Sequence, residues 1–313
     1  MSPSEAVANV NFIPGRINIG LALFYTAVNV GQFFVLPAFL FQSDLRWAWA
    51  LLLIALLNNP YWSLLHEAIH DLFHPDSRIN LLFGRMLSVM FGSPFCILRL
   101  SHLLHHKLNR TPIEGTEFYQ RGKVSVVSAA AGYYFQILGG LYLVEFLSPL
   151  LFFLPRAWLR KFAARGIKPN TVSAILMQSW TRDQSINEIR TEGLLIGVWF
   201  GTALYCYGRN WPLLVAMVAA RGLLISFLDN VYHYRTPVGD IFYAKNLWLP
   251  RPAATILLNF NLHGIHHRHP AVSWRGLPLL FREQAEIYQG NYFAASVRQL
   301  CGPVALQDLP RAE

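Results

Sequence analysis

The chain reads as an all-α integral membrane protein: four transmembrane helices in two hairpins, capped by a cytoplasmic helical domain, with a re-entrant or interfacial helical segment at 124–154. Three observations predict this. Of its 313 residues, 54% are hydrophobic and only 14% charged, which is the membrane end of the range. The apolar residues are gathered into runs long enough to cross a hydrocarbon core of about 30 Å as helices. All 11 histidines lie at the ends of those runs or in the more polar stretches between them.

Residues 1–18 form a polar leader containing Pro14-Gly15, without the apolar core and small-residue site of a cleaved signal peptide. The first run, 19–41, is one span. A tight polar turn, Gln42 to Arg46, returns the chain into the second span, 47–66, with a kink expected at Asn58-Asn59-Pro60. Seven Lys and Arg between 67 and 127 place the segment 67–123 in the cytoplasm. Its apolar portion, Leu81 to Leu98, is interrupted by Arg85, Gly92 and Pro94 and is expected as a helix lying in the interface.

The run Val124 to Leu154 is long enough to cross. A crossing would move the basic segment 155–190 (Arg156, Arg160, Lys161, Arg165, Lys168) and the last histidines to the opposite face. A re-entrant or surface hairpin broken near Gly139-Gly140 avoids both consequences. Two further spans, 191–208 and 211–229, are joined by Gly208-Arg-Asn210, and 230–313 is a cytoplasmic tail. The whole is expected as a single membrane domain, 1–313. The formal charge of +9 sits between apolar runs, where the positive-inside bias and anionic headgroups account for it, so nucleic acid is not an expected partner. Cys96, Cys206 and Cys301 match no metal or redox spacing.

The histidines carry the chemistry. They form three boxes, His66-Glu-Ala-Ile-His70, His102-Leu-Leu-His105-His106 and His263-Gly-Ile-His266-His267, with His233 standing alone at the end of the fourth span. Residues three or four apart share one helix face, so each box can present two imidazoles to one ion. The adjacent pairs, His105-His106 and His266-His267, diverge toward different ions. Nine imidazoles (His66, His70, His102, His105, His106, His233, His263, His266, His267) thus make a plausible two-metal shell. Asp229, four residues before His233, and Asn230 are candidates to orient a ligand or hold a water. His74 and His269 lie outside the repeated pattern. Glu67 and Asp71 are read as contacts to other histidines or as solvated groups. Glu114, Glu117, Glu283 and Glu286 are read as solvated or paired charges. Imidazole suits zinc, copper, iron and nickel alike, so ligand type alone does not choose the metal.

This set of HxxxH, HxxHH and HxxHH boxes, in this order and with these spans between them, resembles the membrane fatty-acid desaturase superfamily over about residues 20–285. His269-Pro270, Trp274 and Leu277-Pro278 extend the likeness to bacterial members. The resemblance implies a non-haem centre of two iron ions, dioxygen as co-substrate, four spans and a cytoplasmic cap. Some members carry Asn-xxx-His in the fourth span; here position 229 is Asp. The His-Pro-Gly-Gly signature of a fused cytochrome b5 domain is absent, so electrons are expected from an external ferredoxin-, flavodoxin- or cytochrome b5-like donor. The expectation is a dioxygen-dependent acyl desaturase in the membrane, a bacterial inner membrane, with its active site facing the cytoplasm and a lipid or fatty-acyl chain as substrate. A hydroxylase or ketolase of the same superfamily, on acyl chains, carotenoids or another lipid, is the alternative. A metal transporter is disfavoured because transporters place their ligands near mid-membrane on broken helices.

Overall fold

A computed structural model describes residues 12–311; the first part of the polar leader and the last two residues lie outside it. Among the described residues the regular structure is helical apart from one short parallel strand pair, β1 (Phe118–Tyr119) with β2 (Val304–Ala305), and a few isolated bridges. Three helical stretches, Gly15–Ser43, Val126–Phe152 and Asp183–Asn230, are long and apolar enough to cross a membrane. Two bent pairs raise the number to as many as five: Leu45–Leu56 with Asn58–Ile69, bent by 42°, and Ser77–Phe91 with Phe95–Leu108, bent by 100°.

Helix α1 (Gly15–Ser43) begins four residues before the expected 19. Its first turn is polar but satisfied: buried Asn18 donates to the Phe73 carbonyl at 2.9 Å and accepts from the Trp274 indole at 3.0 Å. Gly15 sits so close to His74 that a Cβ would stand 2.6 Å from its ring. From Gly31 to Leu40 the turns widen to π geometry around Pro37, which has no N–H to donate. Asp44 then caps α2 (Leu45–Leu56) by accepting from the Arg46 amide at 2.9 Å. The expected kink is present: the chain breaks at Leu57, and α3 (Asn58–Ile69) follows at 42°. Helix α3 is buried on nearly every side and forms the centre of the molecule.

The expected helix at 81–98 is two helices. Asp76 caps α4 (Ser77–Phe91), which ends at Gly92 in the left-handed region (φ +100°), and Pro94 starts α5 (Phe95–Leu108) at 100° to it. The open carbonyls at the end of α4 meet a buried cation. Arg221, inside a later helix, donates to the carbonyls of Met90 (2.7 Å) and Phe91 (3.0 Å), and to Asn58 and Asn29. A guanidinium with every bond directed at carbonyl-type oxygens is tolerated among apolar helices, and the negative end of α4 favours its charge.

Helix α6 (Val126–Phe152) loses helical backbone at Leu138 and Gly139 (φ +115°), at the Gly-Gly pair where a break is expected. Gly139 there lies against the backbone of Gly222 and Leu223. On one side of the break Tyr133 and Tyr134 donate to the carbonyls of Gln299 (2.6 Å) and Leu300 (2.9 Å). On the other, Tyr142 donates to the Phe91 carbonyl, and Arg190 donates to the carbonyls of Phe152 and Leu154, both at 2.7 Å.

After α7 (Arg156–Arg165) and α8 (Val172–Trp180), α9 runs Asp183–Tyr207, eight residues earlier than the expected 191. Its polar first turns are held by partners, Asp183 by Arg156 (2.7 Å) and Arg160 (2.8 Å), and Glu192 by the Phe95 amide (2.7 Å). Gly208 (φ +48°) turns the chain into α10 (Trp211–Asn230). Ala203 and Tyr207 share a cluster with Leu214 and Met217, so α9 and α10 pack antiparallel. The remaining short helices are α11 (Arg251–Ile256), α12 (His263–Arg268), α13 (Leu277–Glu283) and α14 (Tyr292–Arg298).

Candidate metal centre

Each histidine box arrives on a different element. His66 lies in the last turn of α3 and His70 ends that helix. His102, His105 and His106 lie on the last two turns of α5, His233 in the turn after α10, and His263, His266 and His267 on α12. Helix α12 is seated by its neighbours. Asn246 accepts from the Ile265 amide at 3.0 Å, and a Cβ on Gly264 would stand 2.5 Å from the Ala244 carbonyl, so the second position of this box has room only for glycine.

The nine expected ligands come together in two groups, each with its donor atoms within 4.8 Å of one another. His66, His70, His102, His106 and His266 form the first; His105, His233, His263 and His267 form the second. The adjacent histidines part as their geometry requires, His105 and His267 into one group, His106 and His266 into the other. The groups are neighbours: the rings of His106 and His267 stack at 4.2 Å.

Within the groups the Nε2 atoms face each other. The separations are 3.0 Å for His70–His102 and His102–His106, 3.2 Å for His106–His266 and 3.1 Å for His263–His267. An imidazole–metal bond is about 2.1 Å long, so two ligands at a right angle stand about 3.0 Å apart. His66 Nε2 and His233 Nδ1 are buried without a hydrogen-bond partner, a costly arrangement unless something else takes their lone pairs. Burial, and then the neighbouring imidazoles, hold His102, His233, His263, His266 and His267 well below their ordinary pKa. Neutral imidazole is the form that binds metal. The two groups therefore fit one cation each.

A cavity of ≈ 180 Å³ opens on both groups, with His102 of the first and His105 and His233 of the second in its wall. The rest of the wall comes from Trp62 of α3, Leu98 and Ser101 of α5, the loop 109–117, Leu141, Tyr142 and Glu145 beyond the break in α6, and the last turns of α10.

The family model described as "Fatty acid desaturase" matches residues 45–297, which hold all nine histidines and most of the chain. The chain belongs to the fatty acid desaturase family. No curated protein and no solved structure matches it. Membership makes it an oxidoreductase of the desaturase superfamily with a lipid acyl substrate and a membrane setting, and the family uses two iron ions.

One support of this desaturase centre, and one close neighbour of it, escape the sequence reading. Glu114 accepts from His105 Nδ1–H at 2.9 Å, which leaves Nε2 free for a metal. Burial opposes charge on both, but their mutual attraction prevails and holds His105 above, and Glu114 below, its ordinary pKa. Asn109, fully buried, lies with its amide nitrogen 3.3 Å from His267 Nδ1 but gives its two N–H groups to the carbonyls of Ile241 (2.9 Å) and Tyr243 (3.0 Å), so it packs against that ring without orienting it by a hydrogen bond. Neither belongs to a motif, and no spacing rule would have singled them out. Glu114→Ala is expected to weaken metal binding in the second group by about 10–100-fold, read as the chelator concentration that strips half the metal. An unchanged chelation curve would refute the orienting role.

The other candidates have different partners. Asp229 accepts from the Trp62 indole at 3.3 Å and faces the cavity, while the Asn230 amide donates to Gln299 at 3.0 Å. Glu67 accepts from the Trp274 amide, Asp71 holds Arg99, and Glu286 holds Arg268, so none of these three bonds to a ligand histidine. Glu117 is paired and fully buried with Arg110 at 2.6 Å. His74 accepts from the Asp76 amide and His269 from Gln284, both outside the two groups.

Proposed function

We propose that the chain is a dioxygen-dependent, di-iron acyl desaturase of a bacterial inner membrane, with its active site on the cytoplasmic side. The observation that carries this reading is the meeting of nine imidazoles in two adjoining groups, within a chain of the desaturase family. In the proposed topology α1 and α2–α3 form one hairpin, α9 and α10 the other, and the segment 124–154 is re-entrant. Support for the last point is that α6 meets Gln299 and Leu300 before its break and Arg190 at its far end, all near the ends of α9 and α10 away from the Gly208 turn. The cytoplasmic domain would then comprise 67–123, 155–190 and 230–313.

The nine histidines would hold two iron ions, which when bound would supply the redox chemistry for hydrogen removal from an unactivated methylene, with dioxygen as oxidant and the external donor as reductant. The chain's own residues do the rest. Neutral, buried imidazoles leave their lone pairs available, and Glu114 fixes the orientation of the His105 ring. The cavity beside His102, His105 and His233 brings a substrate carbon to the centre, and the packed helices around it exclude water. Asp229, in the same wall, is positioned to hold a water or turn a ligand. The basic surface suits an acidic external electron donor, with a rate that falls as salt rises.

Expression in a host of known lipid profile, followed by mass spectrometry of total lipids, tests the reading. Loss of two hydrogens is the expected change. Gain of one oxygen, or conversion of a carotenoid, would replace desaturation by the hydroxylase or ketolase reading, and an unchanged profile with metal-loaded protein would refute all three.

A further inference from the structure

Helix α7 (Arg156–Arg165) is amphipathic, and only one side of it is covered. Leu159 and Ala163 are buried in a cluster with Phe152, Met177 and Ile186. At about 100° per residue Trp158 and Phe162 share another face, and they are 65% and 44% exposed. Lys161 and Arg165 flank this aromatic pair on the side away from the buried residues, and both are exposed.

The charge here is of one sign. From 153 to 182 the chain carries six Lys and Arg and no Asp or Glu. Asp183 engages Arg156 at 2.7 Å and Arg160 at 2.8 Å, whereas Lys161, Arg165 and Lys168 are exposed and have no acidic partner among the described residues. Position decides what covers this face. Helix α7 begins four residues after α6 ends at Phe152, so it lies at the boundary of the bilayer whether α6 crosses or folds back. Exposed Leu147 and Leu150 on α6, then Phe153 and Leu154 in the turn, lead the apolar surface into Trp158 and Phe162. A soluble acidic partner would answer the charges but not an apolar strip that continues along a membrane helix. A neutral lipid surface would answer the strip but not the charges.

We propose that α7 is a binding surface for anionic phospholipid. Trp158 and Phe162 dip to the acyl boundary, and Lys161, Arg165 and Lys168 extend their apolar stems over that boundary to reach the phosphates. The surface is separate from the metal centre, since none of the nine histidines belongs to the cluster that seats α7. Because Arg156 and Arg160 tie α7 to Asp183, its seat in the headgroup layer also sets the depth at which α9 enters the bilayer.

Amide hydrogen exchange of the full metal-loaded chain tests it, in nanodiscs holding one chain each and made of phosphatidylcholine alone or mixed with phosphatidylglycerol. The expected result is that 156–168 exchanges several-fold more slowly in the mixed discs, with a gain that shrinks as salt rises. Lys161→Gln, Arg165→Gln and Lys168→Gln together should erase that gain, since each basic side chain near an anionic surface is worth about 5-fold in attraction. Trp158→Ser with Phe162→Ser should speed exchange in both kinds of disc, because the apolar anchor is gone. Rates are referred to those of α10 in the same sample, so that a loosened fold is not read as a lost anchor. Equal exchange in the two discs, a gain that survives the triple substitution, or protection that needs two chains per disc, the mark of a contact between copies, would overturn the proposal.

Discussion

His267→Ala is expected to abolish the lipid product and to lower bound iron from about two ions per chain to about one. The reason is the unequal size of the two groups. His267 belongs to the group of four, and its loss leaves His105, His233 and His263. His266 belongs to the group of five, and its loss still leaves His66, His70, His102 and His106. Losing an outer partner of a ligand already costs about 10–100-fold in metal affinity, and losing the ligand itself costs more. His267→Ala should therefore shed more iron than His266→Ala, measured as metal per chain after identical dialysis against a weak chelator. Full retained activity in His267→Ala would sink the metal-shell assignment. Equal iron in the two variants would sink the division into five and four.

Glu117→Leu should destabilise the folded chain by about 3–5 kcal/mol, the usual penalty for stranding one member of a buried ion pair. Both partners here are almost wholly buried, with side-chain exposures of 1% and 1%. Arg110 would then keep its charge with only carbonyls around it. The consequence reaches the metal centre, because the same guanidinium donates to the His233 carbonyl at 3.3 Å and to the Thr236 carbonyl at 2.5 Å, fixing the turn that presents His233. The measurement is the denaturant midpoint of the metal-loaded chain. A companion Arg110→Met, Glu117→Leu double variant should recover part of the loss, since no unpaired charge remains. A single variant as stable as the parent would show that the pair contributes nothing.

The histidines that gather into the two groups were legible in the sequence because few other roles collect this residue at spacings of three and four, three times over. Their partition into two groups followed from the same geometry, since neighbouring positions on a helix point about 100° apart. What supports them was not legible. Glu114 lies in an irregular loop and acts through one side chain whose direction is set by tertiary packing. The helix starts at Gly15 and Asp183 were misplaced for one shared reason. Hydropathy counts Asn18, Asp183 and Glu192 as polar whether or not a partner satisfies them, and here each has one. Arg221 shows the converse, a charge hidden in an apolar run and held by the end of another helix. The break in α6 could be read because Gly139 is one of the few positions where the backbone itself demands a glycine.

The pairing of His106 with His266 joins residues 160 apart in the chain, and Asn109 meets His267 across 158. Metal held between such distant points acts as a cross-link. Its gain over a short-range one comes from the wide loop it closes in the unfolded chain, with each doubling of loop length adding about 0.6 kcal/mol. Iron supply would then govern more than turnover. A chain made without iron would lack the tie between α12 and the helices synthesised long before it, so its C-terminal third should exchange amide hydrogens and yield to proteases first, while the α9–α10 hairpin, knit by its own apolar cluster, stays protected.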